Sequence, residues 1–235
     1  MLKILPVIAY CCFTFFLQVI PVYAYQWPIE GFNVQHRIVG TLGEPRGGGS
    51  RFHAGVDIKD TSTVEGTPVY TVQSGTVSHG GSGQNLYVRI GAIYYIHVKD
   101  RVAVGSSVAT GDYICKVGPY SASSPHLHFQ VGTNGSSNSD NPLHSSNLTP
   151  FSELTAPSIT TVTFRRHNGS AISSNALKGN VDIVAHVVDK IVSSDSPRLG
   201  IYSIWYKGFY SSGSQTGRLL RLSEEVQREK DLLCS

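Results

Sequence analysis

Residues 123–131 read Ser-Ser-Pro-His-Leu-His-Phe-Gln-Val, and the way this stretch alternates decides the fold. Successive side chains of a β-strand point to opposite faces. Leu127, Phe129 and Val131 therefore share one face, and His126, His128 and Gln130 share the other. The apolar face is a core face, and the imidazole face is a candidate site.

Outward from this strand the same pattern continues. Strands are predicted at 56–59, 68–72, 75–78, 85–90, 93–98, 112–117 and 126–131. Breaker clusters such as Gly80-Gly81-Ser82-Gly83 and Thr110-Gly111-Asp112 separate them. No helical period interrupts, so residues 52–148 read as an all-β, antiparallel domain. Pro150 and Pro157 bracket a linker over 149–157. Beyond it, 158–210 is again β: Ile159 to Phe164 alternates, Asn168-Gly169 signals a hairpin, and 181–188 and 200–207 are apolar. This reads as a partial immunoglobulin-like segment, because a full sandwich needs about seven strands. In the tail, 211–235, Leu219, Leu222, Val226 and Leu233 recur near helical spacing and predict a helix.

Lys3, the apolar run Ile4 to Ile20 and the small residue Ala24 form a secretory signal over 1–24. If that leader is retained, it is the one segment able to anchor the chain in a membrane. Residues 25–51 are expected as a lead-in segment, flexible at Gly47-Gly48-Gly49-Ser50. A net charge of +3 from scattered Lys and Arg gives no basic stripe, which argues against nucleic-acid binding. Charged residues make up only 15% of the chain, a composition suited to an exported β-protein. Without the leader two cysteines remain, Cys115 in an apolar run and Cys234 near the end. They form no disulfide framework and lack zinc-site spacing.

A second stretch carries chemistry. In Arg51-Phe52-His53-Ala54-Gly55-Val56-Asp57-Ile58, His53 and Asp57 are four apart and share a face of an extended chain. A catalytic zinc ion takes nitrogen and carboxylate oxygen ligands, usually three from protein, with one position left open. His53, Asp57 and one histidine of the 126/128 pair make such a set. Two neutral imidazoles and one carboxylate leave residual positive charge, which lowers the pKa of a bound water from about 15.7 to near 7.

His-Ala-Gly-Val-Asp-Ile (53–58) and, about seventy residues later, Pro-His-Leu-His-Phe (125–129) resemble the lysostaphin-type, or LytM-like, zinc endopeptidases. The resemblance runs from Phe52 to Leu143 through Gly66-Thr67-Pro68-Val69-Tyr70, Ser74-Gly75-Thr76-Val77, Tyr95-Ile96-His97-Val98, Gly111-Asp112-Tyr113-Ile114 and Asn141-Pro142-Leu143. It implies a LytM-like β-sandwich hybrid (duplicated hybrid motif) with its site in a groove of the sheet. It also implies that His53, Asp57 and His128 hold zinc while His97 and His126 act as catalytic groups beside it. The implied substrate is the peptide of bacterial cell-wall peptidoglycan, cut in the envelope or outside the cell. A non-catalytic LytM-like module that binds wall or activates another hydrolase is the alternative. Short loops at 78–86 and 91–92 and a Ser- and Pro-containing loop at 118–125 depart from the family pattern and bear on substrate choice.

The remaining histidines, His36, His79, His144, His167 and His186, are expected at the surface or in turns. Tyr95 has the parity of His97 and is therefore expected nearer the site than Tyr94.

Overall fold

The computed structural model describes residues 24–47, 50–120, 124–132, 139–144, 147–167, 169–190, 200, 204–205, 208–209, 215–216 and 219–220. The chain is all-β. Its strands are β1 (Ile38–Gly40), β2 (Pro45–Arg46), β3 (Arg51–Phe52), β4 (Val56–Ile58), β5 (Pro68–Tyr70), β6 (Gly75–Gly80), β7 (Tyr87–Ile90) and β8 (Ile93–Ile96). There follow β9 (Val98–Lys99), β10 (Ser107–Val108), β11 (Tyr113–Val117), β12 (Leu127–Gly132), β13 (Ser139–Asp140), β14 (Ser158–Arg166), β15 (Ala171–Ile172) and β16 (Val181–Val188).

An eight-stranded antiparallel sheet runs β1-β4-β12-β8-β7-β6-β10, with β13 also on β12. A smaller sheet, β5-β11-β9, shares its core. Val69, Ile114 and Val117 of the small sheet join Val56, Ile58, Val88, Ile90, Ile93, Leu127 and Phe129 of the large one in one buried cluster. Alternation drives this: each strand turns its β-branched and aromatic residues to the shared interior.

Strand β12, which contains His128 and directly follows His126, is central in the sheet, between β4 and β8. Its apolar side faces the core as expected. Its other side is buried too, since His126, His128 and Gln130 are only 6%, 7% and 4% exposed. The site is therefore the floor of a groove.

The lead-in segment does more than approach the domain. β1 pairs with β4 at the sheet edge, and Trp27, Ile29 and Ile38 are buried in the core. The Trp27 indole N–H donates to the Pro150 carbonyl at 2.9 Å, tying this segment to the start of the linker. Residues 48–49, half of the glycine-rich stretch, lie outside the described residues, as do residues 1–23 of the leader.

β14 pairs with β15 and β16 in a separate three-stranded sheet, with the predicted hairpin joining β14 to β15. Ile159, Val162, Ile183 and Val184 of this sheet are exposed. In the tail, Leu219–Leu220 pairs antiparallel with Ile204–Trp205, so the expected helix gives way to strand at those two residues. The rest of that predicted helix, and Cys234, lie outside the described residues. Cys115 is a free, buried thiol. Burial pushes its pKa far up, which leaves it an inert core residue. Among the described residues no helix is long and apolar enough to cross a membrane.

Candidate metal centre

Register brings two distant motifs together. His128 on β12 lies directly opposite Asp57 on β4 in the antiparallel ladder, although the two are 71 residues apart in sequence. His53 reaches the same point from the turn before β4. That turn must pass close to β12, and Gly55 permits it. A Cβ at Gly55 would lie 2.3 Å from the Phe129 carbonyl oxygen and 2.9 Å from His128 Nε2.

The result is a triangle of potential ligand atoms. His53 Nε2 is 3.0 Å from Asp57 Oδ1 and 2.9 Å from His128 Nδ1, which is itself 3.0 Å from Asp57 Oδ1. Bonds of about 2.0–2.1 Å at tetrahedral angles space ligand atoms roughly 3.3 Å apart. The donor set and its spacing fit a zinc ion after an adjustment of a few tenths of an ångström. Among the described residues, His53, Asp57 and His128 form one group of side chains able to hold a metal ion.

Backbone carbonyls set the tautomers. His53 Nδ1–H donates to Thr41 O at 2.7 Å, His97 Nδ1–H to Gln84 O at 2.7 Å, and His126 Nδ1–H to Ser124 O at 2.8 Å. Each bond fixes the ring and leaves Nε2 with its lone pair. His126 Nε2 stands 3.5 Å from Asp57 Oδ1, beside the triangle. The His97 ring lies 4.9 Å from that of His126 and 5.9 Å from that of His128.

Electrostatics favour this arrangement. Burial alone would raise the Asp57 carboxyl, but the hydrogen bond from His128, the contact with His53, which donates from Nε2 only when its ring is protonated, and the positive charge both rings then carry hold it far below the usual carboxylate range. The carboxylate is thus ionised and ready as a ligand. Burial pushes His97 down to about 4, against a smaller upward pull from the Gln84 carbonyl. His97 is therefore neutral at ordinary pH, with a lone pair available as a base.

The sequence places three features differently. His97 has φ of 64°, the left-handed region, which breaks the strand between β8 and β9 and reverses side-chain parity there. Tyr95 consequently points into the core, fully buried against Phe129. Ile96 and His97 both line the groove. Second, His36 is buried rather than superficial, between Asp60, the Gly31 carbonyl and the Trp27 ring. Third, His79 is half-buried, with Nε2 enclosed and lacking a partner.

Sequence reading also passed over several groove residues. The Tyr120 ring packs tilted against His97 and edge-on against His126, with centroids 4.1 Å and 4.5 Å apart. Arg46, Arg51 and Asn85 line the same groove. A lone Tyr in a Ser- and Pro-containing loop, or an Arg before a glycine run, carries no local signal of this.

Residues 51–140 match the family described as Peptidase family M23. Over these residues the chain is similar to that family. The matched segment contains His53, Asp57, His97, His126 and His128. Among solved structures, the chain is similar to the catalytic domain of the antimicrobial peptidase lysostaphin from Staphylococcus simulans. The identity there is 28%, over 46% of this chain and 90% of that one, with a TM-score of 0.38. Whole lysostaphin aligns over 84% of this chain and 92% of its own at 20% identity, with a TM-score of 0.45. A zinc-containing peptidase from Vibrio cholerae aligns at 25% identity over 46% of this chain, which spans only 36% of that protein, with a TM-score of 0.37. A comparison with curated proteins finds no match.

Proposed function

We propose that this protein is an exported zinc endopeptidase of the M23 type that hydrolyses peptide bonds in bacterial cell-wall peptidoglycan. The observation that carries the reading is the triangle of His53 Nε2, Asp57 Oδ1 and His128 Nδ1, with sides of about 3 Å, on the floor of an open groove. A zinc ion held there supplies a Lewis acid that polarises a carbonyl and acidifies a water. The chain's own groups do the rest. His126 Nε2, oriented by the Ser124 carbonyl, accepts the proton of the attacking water and returns it to the leaving amine. His97 Nε2, neutral and fixed through Nδ1, is the partner in that transfer and in holding the tetrahedral oxyanion. Export rests on the leader over 1–24 and suits a substrate outside the cytoplasm.

The test joins metal analysis to digestion. Purified protein should carry about one zinc per chain and release shortened muropeptides, as read by mass spectrometry, with a chelator abolishing the release. His128→Ala should lower the rate by more than about 100-fold, beyond the 10–100-fold typical of groups that merely support a ligand. Zinc-free protein that still binds cell wall, with no muropeptide change, would instead identify a non-catalytic wall-binding module.

A further inference from the structure

The two oxygens of Asp57 have different surroundings. Oδ1 faces His53, His128 and His126. Oδ2 accepts a hydrogen bond from Arg46 Nη2 at 3.1 Å. Arg46 is itself held, because the same nitrogen donates to Glu44 Oε2 at 2.9 Å. Glu44 is held in turn by Thr41, whose N–H and hydroxyl donate to Oε1 at 2.6 and 3.0 Å. The Thr41 carbonyl also orients His53. One residue thus anchors both a ligand imidazole and the ion-paired chain that reaches the ligand carboxylate. Gly40, opposite Asp57 on β1, leaves the space for this pairing. A Cβ there would stand 2.5 Å from Arg46 Nη2 and 2.6 Å from Asp57 Oδ2.

We propose that Arg46 is a positioning residue that reserves Asp57 Oδ2, so that Asp57 offers a metal one oxygen and a fourth coordination position remains open. The inference rests on the metal site under Proposed function and deepens it. A carboxylate can ligate through one oxygen or both, and the second mode would fill the position that a catalytic site must keep free. An arginine on Oδ2 opposes that mode by charge and geometry, and its guanidinium stays protonated at every working pH. The ion pair also restrains rotation of the carboxylate, as groups behind metal ligands generally do.

The test uses the full chain loaded with cobalt(II) as a spectroscopic stand-in for zinc. Wild-type protein should show the intense visible bands of four-coordinate cobalt. Arg46→Gln should show the weaker bands of a higher coordination number at full loading, and its affinity for the metal in chelator competition should change by about 10–100-fold. Arg46→Lys, which retains a cationic donor, should restore most of the wild-type spectrum. Glu44→Gln leaves the arginine in place but untethered and should fall between wild type and Arg46→Gln. Circular dichroism identifies variants that remain folded. An unchanged cobalt spectrum in both folded Arg46→Gln and folded Glu44→Gln overturns the proposal while leaving the metal site standing. Failure of the wild type itself to bind cobalt or zinc overturns the metal site and the proposal together.

Discussion

Replacing Gly55 with alanine tests whether the metal site depends on one close backbone approach. The added methyl would sit 2.3 Å from the Phe129 carbonyl oxygen and 3.0 Å from its carbon. An ordinary contact is longer by roughly 1 Å, so either the turn carrying His53 or strand β12 must shift by about that amount. Phe129 pairs with Val56 and with Tyr95, both fully buried, so the strand has little room to yield. Overpacking of this kind costs about 1–3 kcal/mol. For a chain of this size, each kcal/mol lowers Tm by roughly 2–4 °C, giving an expected loss of about 2–12 °C in metal-free protein. The chemical loss should be larger in proportion. A shift near 1 Å separates His53 Nε2 from His128 Nδ1, now 2.9 Å apart, and misplacement on that scale costs about 100-fold in rate. Calorimetry of the metal-free variant, zinc affinity by chelator competition and the hydrolysis rate measure the three effects. A Gly55→Ala protein with Tm within 1 °C of wild type and unaltered zinc affinity would refute the reasoning.

Two other outcomes are expected. In metal-free protein, stability should fall as pH drops from about 6.5 toward 4, because the folded state holds His97 at about 4 while the unfolded chain takes up the proton first. Burial lowers His128 as well and adds to the same slope. Urea midpoints between pH 8 and 5 measure this. His97→Gln should flatten the slope, and a flat wild-type profile would contradict it. Tyr95→Phe should cost about 1–3 kcal/mol by leaving the buried Val72 N–H without its acceptor, now at 2.8 Å, with little change in kcat. A large loss of activity without loss of stability would put Tyr95 back at the site.

The parts of this protein legible in the sequence are those that repeat locally. Alternation of period two marked β4, β6, β8, β11 and β12 within a few residues, because a strand's faces are set by its own backbone. The same rule put His126, His128 and Gln130 on one side, where the structure keeps them. Parity failed at Tyr95 and His97, because one residue at φ 64° reverses the faces and no spacing rule registers a left-handed turn at a histidine. The packing of Trp27 into the core, the rings of Tyr120 against His97 and His126, and the chain from Thr41 through Glu44 and Arg46 to Asp57 were decided by tertiary structure alone. They depend on register between β1, β4 and β12 and on loop paths over the groove, which are relations between segments. The sequence by itself determined which side chains could carry the chemistry. Folding decided which atoms of those side chains face one another, since distance in space follows strand pairing, whereas composition and spacing record only distance along the chain.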